Sequence, residues 1–405
     1  MIKQAKKIVT LATVTGAVLF TLTGCSMFGG SSDSDNKKTE ESTVSVSETT
    51  SATEPKPISG LELEKELPID HAEYLNIDAY KGGYYVIKSH KGSDLQQMLI
   101  VPEGGTVPEG LDENILVVKQ PVTSSKIDSL TMLAMLNEID PETLSGVSLV
   151  SNEKESISIG KVVENMDKGV TKYAGKIKEQ DVNLLKESGV QFYIGNSGLE
   201  KEDIYKEIVK QGITPFITYL HVEKDPLGRL EWVKALGTIF GKTDAAQAFY
   251  DSQKQAAESV DRSKANGKTY TMVYFNKSKN LAYVRRTGDV IAKIGEYAGG
   301  KNMLSDVDKG SWEEMSIDDF ASKFKDSDYL IYFDGHGDKV SSRDELLAIS
   351  DKLNDFKAVK DGHVWRTQTD YLQMAHIGDM IKELNGIFAD DAETINNAAC
   401  YVNIK

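Results

Sequence analysis

From about residue 58 the chain alternates short apolar runs with longer stretches whose apolar positions recur every three or four residues. Residues 81–89 (KGGYYVIKS) and 96–104 (QQMLIVPEG) are rich in strand formers and read as a hairpin. Continuous apolar runs follow at 115–118, 147–150, 190–195 and 213–220, with helix-period segments between them at 125–137, 181–187 and 201–210. A second set places strands at 269–275, 328–334 and 362–367 and helices at 289–297, 317–325, 343–353 and 372–388. Uninterrupted apolar strands separated by helices predict βαβ units and mostly parallel sheets covered on both faces. The expected fold class is therefore α/β, with two Rossmann-like lobes and a ligand cleft between them.

Between the two sets, residues 243–264 contain no Gly or Pro and are rich in Ala, Gln, Lys and Glu. Thr243 suits a helix start and Asn266-Gly267 a stop, with Ala245, Phe249, Ala256 and Val260 as the apolar stripe. At about 1.5 Å per residue such a helix reaches roughly 33 Å, enough to join two lobes. The expected boundaries are an N-terminal lobe at 58–242, a connecting helix at 243–266 and a C-terminal lobe at 267–405.

The first 24 residues follow a different pattern. Lys3, Lys6 and Lys7 precede an uncharged apolar run at 8–22, too short for the ~20 residues that span a bilayer. It ends in Leu22-Thr23-Gly24-Cys25, which resembles a bacterial lipoprotein signal with Cys25 as the acylated first mature residue. Residues 25–57 are polar and rich in Ser, Thr and Glu, as expected of a disordered tether. The expectation is an extracytoplasmic body held at the cell membrane by lipidated Cys25.

Over 405 residues, 47 Lys and Arg oppose 62 Asp and Glu, a formal charge of −15 that becomes −18 once the three signal lysines are removed. An acidic chain argues against nucleic-acid partners, which need a basic face. Two cysteines exclude a disulfide scaffold and a multi-cysteine metal site. No HExxH, phosphate-cradling Gly-Lys-Ser/Thr loop or nucleophile elbow is present, so the chain is not expected to be an enzyme or to carry a resident cofactor. The segment beginning at Asp306 starts like a calcium loop but has Ile317 where the bidentate Glu belongs. Cys400 is left as a lone thiol.

Several stretches carry a family likeness: LGTIFGKTDAAQAF at 236–249, EYAGGKNML at 296–304, GSWEEMSIDDF at 310–320, KAVKDGHVW at 357–365 and HVEKDPLGRLEWVK at 221–234. Together they resemble the helical-bridge class of substrate-binding proteins of ABC importers, which take up ferric siderophores, haem and cobalamin. The resemblance implies a monomeric receptor whose partners are a small metal chelate and an ABC permease. An iron siderophore is the first expectation and haem or cobalamin the alternative. It also implies a surface acid on each lobe for permease arginines. Asp318, with Asp319 beside it, occupies that position in the C-terminal lobe. Asn183 replaces the usual glutamate in the N-terminal lobe, leaving Glu179 or Asp181 to serve.

Ligands of open α/β sheets bind beyond the carboxyl ends of the strands, and clefts between domains are favoured. That rule selects Thr123, Ser124, Ser125, Asn196, Ser197, Tyr219 and His221 in the first lobe. In the second it selects Tyr283, Arg285, Arg286, Trp312, His336, Arg366 and Tyr371, and Arg229 joins them from the Pro-Leu-Gly-Arg run. Arginine grips carboxylates or catecholates bidentately and aromatics supply flat apolar contact. Two rivals of other classes are an extracellular α/β hydrolase, which needs a nucleophile–base pair, and a surface adhesin with a filled cleft.

Overall fold

The described residues build three sheets where the apolar pattern implied two lobes. The computed structural model describes residues 58–265, 267–305, 310–333 and 338–405. The signal, Cys25, the tether, Asn266 and His336 lie outside the described residues.

The first sheet contains β1 (Leu63–Glu66), β2 (Leu75–Tyr80), β3 (Tyr84–Lys91), β4 (Asp94–Val101) and β5 (Ile115–Lys119), in that spatial order. It is an antiparallel meander until β5 adds parallel to β4. Strand alternation divides its faces: Tyr80, Val86, Leu99 and Val101 cluster with Ile58, while Leu75, Ile77, Ile87, Met98 and Ile100 enter the main core. The hairpin was legible in the sequence. The 115–118 run, expected to open the parallel set, instead closes this meander.

The second sheet is wholly parallel, in the order β10 (Pro215–Thr218), β9 (Phe192–Asn196), β6 (Ser125–Ile127), β7 (Leu149–Val150) and β8 (Lys172–Tyr173). Here the expected 125–137 helix is corrected. Residues Ser125–Ile127 are a strand, and the helix is Leu130–Ile139, capped by the Ser129 hydroxyl accepting from the Met132 N–H at 3.3 Å. Lys126 hides this strand from a hydropathy reading, since a lysine inside Ser-Lys-Ile looks solvent-facing. Its ammonium is fully buried, held by Asp128 and by Ser151 Oγ at 2.7 Å, over the Tyr193 ring at 4.4 Å.

The third sheet runs β14 (Trp312–Ser316), β12 (Leu281–Arg285), β11 (Thr269–Asn276), β15 (Tyr329–Tyr332), β16 (Val364–Thr367) and β17 (Tyr401–Asn403), with β13 (Lys301–Asn302) beside β11. One face packs Val273, Phe275 and Val284 against Phe320 and Phe324 of the Ile317–Phe324 helix. The other packs Tyr270, Tyr329 and Trp365 with the Ile377–Phe388 helix, where Tyr270 stacks on Phe388 at 5.6 Å.

A single helix, Thr243–Glu258, joins the second sheet's lobe to the third's. It is shorter than the expected 243–264, about 24 Å long. It ends where the Ser259 hydroxyl donates back to the Ala256 carbonyl at 2.8 Å, and the chain turns into Arg262–Ala265. Its buried stripe is Ala246, Tyr250, Gln253 and Ala257, displaced from the expected Ala245, Phe249, Ala256 and Val260. Tyr250 decides the phase: its ring lies under the Lys234 ammonium at 4.2 Å. On the same stripe Gln253 donates to Asp379 at 2.8 Å, and Gly378 brings the Ile377–Phe388 helix into backbone contact. A Cβ on Gly378 would sit 1.9 Å from the Gln253 carbonyl oxygen. One helix is therefore packed into both lobes.

A second tie crosses the lobes at His376. Its Nε2 lies 3.2 Å from Glu138 on the Leu130–Ile139 helix and its Nδ1 3.3 Å from Asp379. Hydrogen bonds to Asp379 and then Glu138 outweigh burial and lift the imidazole to about 9 from its ordinary 6.5. A raised folded value means stabilisation that is complete below the unfolded value of about 6.5 and disappears as pH climbs to about 9. The unsubstituted protein is thus expected to lose about 1 kcal/mol over that window, allowing for partial exposure of the pair. His376→Gln should flatten that slope in thermal melts; an unchanged slope contradicts the assignment.

Candidate functional site

Two arginines from different lobes lie within electrostatic reach of one another near the carboxyl ends of the strands. Arg229 belongs to the Pro226–Glu231 helix, which Asp225 caps by accepting from Leu227 N–H at 2.8 Å. Its Nη2 donates to the His221 carbonyl at 2.8 Å, its Nη1 faces Met374 Sδ at 3.8 Å, and its buried Nε has no partner among the described residues. Burial lowers its pKa to about 10; Asp289 pulls it back up and Arg285 pushes it further down. Arg229 therefore lies within electrostatic reach of both of those second-lobe residues.

Arg285 ends β12 and is buried. Its Nη1 donates to Asp289 at 3.1 Å, while the other Asp289 oxygen caps the Val290–Tyr297 helix through Ile291 N–H at 2.9 Å. The guanidinium carbon is 5.6 Å from the Trp312 ring, 5.6 Å from Phe333 and 5.8 Å from Tyr274. Strand pairing sets Trp312 directly opposite Arg285, and β12 and β11 set Tyr283 opposite Tyr274, the two rings stacked at 4.6 Å. Arg285 Nε is also buried without a partner among the described residues. Trp312 is 49% exposed although it is among the largest apolar side chains. The result is a cationic point ringed by flat surfaces, open on the tryptophan side.

On the first lobe's side, Tyr219 is nearly buried and follows β10. His221 Nε2 lies 3.1 Å from Ser197 Oγ. Packing around the ring and then the charges of Arg229 and Lys91 lower His221 to about 4, so at neutral pH it is an uncharged imidazole. Partial desolvation of this still exposed ring and two cations thus leave it a donor or acceptor, or a metal ligand, rather than another positive charge.

Of the sequence-selected residues, Tyr219, His221, Ser197, Arg229, Tyr283, Arg285 and Trp312 fall in this region. Ser124 and Ser125 do not. They sit at the amino end of β6, the edge of the parallel sheet opposite Tyr219, because β5 joined the meander and moved the strand start. Ser125 is fully buried and donates to the Gly146 carbonyl at 2.8 Å; Ser124 donates to the Ser188 carbonyl at 3.1 Å. Arg286 is buried against Glu313 at 2.7 Å on the β12–β14 edge. Arg366 shares the sheet face of Val364, opposite the face that Trp365 packs against the Ile377–Phe388 helix. Tyr371 leans on His376 at 5.4 Å, and burial raises its pKa to about 12. Its turn reaches the site through Met374, which adopts a left-handed φ of 58°. The docking candidates Glu179, Asp181, Asp318 and Asp319 are all exposed. Asp318 pairs with Lys352 at 2.8 Å, Asp319 accepts from Ser316 Oγ at 2.7 Å, and Asp181 caps the Val182–Glu187 helix.

Sequence reasoning missed Lys91, Tyr74, Tyr274, Phe333 and Met374. Tyr274 and Phe333 read as strand interior, and nothing in a local pattern could place the β3 end beside Tyr219. Among the described residues no cluster of His, Cys, Asp and Glu is arranged to hold a metal ion, and no helix is long and apolar enough to cross a membrane.

Residues 193–371 match a family model described as periplasmic binding protein. That stretch is thus similar to a periplasmic binding protein domain. Two uncharacterized lipoproteins of Methanocaldococcus jannaschii are similar to it: one is 23% identical over 319 residues, 74% of this chain and 73% of the relative. The other is 24% identical over 304 residues, 71% and 73%. Solved structures share its fold. A periplasmic heme binding protein from Pseudomonas aeruginosa aligns with TM-score 0.53 at 14% identity, covering 67% of this chain and 94% of that one. A periplasmic solute binding protein from Veillonella parvula aligns with TM-score 0.55 at 16% identity, covering 69% and 86%. The periplasmic heme binding protein HutB of Vibrio cholerae gives 0.52 at 12%, covering 65% and 98%. These likenesses extend through both lobes of the binding-protein fold.

Trp232 and Trp365 are 1% and 3% exposed, so Trp312 should supply nearly all iodide-quenchable emission. Trp312→Phe is expected to abolish that quenching; quenching that persists would place the open tryptophan elsewhere.

Proposed function

We propose that the protein is an extracytoplasmic solute receptor, anchored through acylated Cys25, that holds an anionic metal chelate between its lobes and delivers it to an ABC permease. An iron siderophore is the favoured cargo. The lipoprotein-like start and the two lipoprotein relatives support the anchor. In this reading the protein is a monomer, the chelate is cargo rather than a resident cofactor, and Asp318 with Asp181 or Glu179 offers the permease one acidic surface per lobe.

The observation that carries the proposal is the convergence of Arg229 and Arg285. Each keeps a buried Nε without a partner among the described residues, and Trp312 beside Arg285 is left exposed. A buried donor without a partner costs roughly 1–3 kcal/mol. An anion between the guanidinium groups would satisfy both, and the aromatic rings would cover its flat parts. Neither the hydrolase nor the adhesin uses that arrangement: a hydrolase needs a nucleophile beside a base, and an adhesin gains nothing from orphaned arginines. A second reading, haem, rests on His221, whose neutral imidazole beside Tyr219 suits iron ligation.

The test is a thermal-shift and fluorescence panel with a ferric tris-catecholate, a ferric trihydroxamate, haemin and cobalamin. A binder at 100 times its Kd adds about 2.7 kcal/mol, a rise of several degrees. Arg229→Met and Arg285→Met should each weaken the anionic chelate at least about tenfold, given 2–5 kcal/mol for truncating one partner of a buried charge pair. Silence across the panel, or binding indifferent to both substitutions, overturns the proposal. Haemin binding lost in His221→Ala selects the second reading.

A further inference from the structure

The meander sheet is fastened to the binding-protein body by two buried carboxylates. Glu231, fully buried, accepts from the N–H groups of Asp70, His71 and Ala72 at 2.8–3.0 Å and from the Lys234 ammonium at 2.8 Å. Glu223 accepts from Glu73 and Tyr74 N–H at 3.0 and 3.2 Å and from the Trp232 indole at 3.0 Å. Five consecutive backbone donors are thus satisfied by two side chains. Gly228 permits the approach, since a Cβ there would lie 2.5 Å from the His71 carbonyl oxygen. Further along, Ser89 donates to the Ile217 carbonyl at 2.7 Å and Gln96 accepts from Ile217 N–H at 2.6 Å, so side chains of β3 and β4 close the edge of β10.

These ties fix what stands beside Tyr219. Tyr74 packs on it at 5.9 Å, and the exposed Lys91 ammonium sits 5.3 Å from the Tyr74 ring and 5.8 Å from the Tyr219 ring. Lys91 and Arg229 both act on the His221 imidazole, and Arg285 acts on Arg229. A row of cations therefore runs from the meander through the first lobe to the second. Asp94 and Glu200 also face Tyr219, but no hydrogen bond or ion pair joins either to Lys91 among the described residues.

We propose that the meander sheet is a third wall of the ligand cleft, and that Lys91 contacts the cargo and sets a preference for anionic over neutral chelates. This rests on the reading of the Arg229–Arg285 cleft as the ligand site. A lysine over two aromatic faces is held in place at one side and leaves its remaining donors for an anion. The meander thereby acts in recognition as well as in packing.

The experiment titrates the unsubstituted protein, Lys91→Ala, Lys91→Glu and Lys65→Glu with a trianionic ferric tris-catecholate, a neutral ferric trihydroxamate and haemin, read by tryptophan emission at low and high salt. Lys65 lies on β1, whose pairing places it at the opposite end of the sheet, and it supplies the same charge change far from the cleft. Lys91 is exposed, so neither of its substitutions should alter the melting temperature. Lys91→Ala is expected to weaken an anionic probe about threefold and Lys91→Glu about tenfold, the losses shrinking with salt. Affinity for the neutral probe should change less than about twofold. Identical affinities for Lys91→Glu and Lys65→Glu overturn the inference while leaving the two-arginine site standing. No binding of any probe by the unsubstituted protein overturns that site, and this inference with it.

Discussion

The contact between Gln253 and Gly378 is the constraint from which the remaining geometry follows. It presses the helix that joins the two lobes against the last long helix of the second lobe, backbone to backbone. On the same stripe the helix receives Lys234 across Tyr250, and Lys234 is bound to the Glu231 that fastens the meander. Three parts of the chain are thus registered against one rod. A helix packed into both neighbours has no soft dihedrals to serve as a hinge, unlike the loop crossovers of hinge-closing proteins. Its rigidity holds Arg229 and Arg285 at a set separation before any ligand arrives, and preorganisation of that kind lowers the entropic cost of binding.

Electrostatics explains why such an arrangement has to do something. Two guanidinium groups within electrostatic reach of one another, Arg285 buried and Arg229 half-buried, repel and lose hydration. Asp289 compensates Arg285 in part and caps a helix with its second oxygen, so it cannot neutralise both. Contrast the buried Lys126, where Asp128, Ser151 and Tyr193 close every direction and leave no room for a visitor. Arg286 is likewise answered by Glu313. Arg285 has Asp289 as its acid, whereas Arg229 bonds only a carbonyl oxygen and a thioether among the described residues, as expected where an anionic guest completes the set.

Much of the α/β layout was legible because its strands are buried on both faces and read as continuous apolar runs. β6 was not, since its central residue is a lysine neutralised by groups distant in sequence. The helix phase was missed by one position because an aromatic–ammonium contact with Lys234 outranks the simple stripe of Ala245 and Phe249. At the site, Arg285, Trp312 and Tyr219 could be named from strand ends, and Arg229 from the Pro-Leu-Gly-Arg run. Ser124 and Ser125 were misplaced when β5 left the parallel set for the meander. The Pro-Leu-Gly-Arg-Leu-Glu-Trp run shows a different limit. Its Gly228, Glu231 and Trp232 serve the attachment of residues 70–74, and only Arg229 turns toward the cleft. Sequence alone offers no means of dividing one motif between two tasks.

The most direct test is a crystal structure of the mature protein with the tightest-binding chelate of the panel. The account predicts density for the chelate between the two lobes, with an acidic group within hydrogen-bonding distance of Arg229 and Arg285 and a flat portion against Trp312. Density confined to the groove lined by Tyr371, Glu383 and Cys400, or to an outer surface with both arginines untouched, would contradict it.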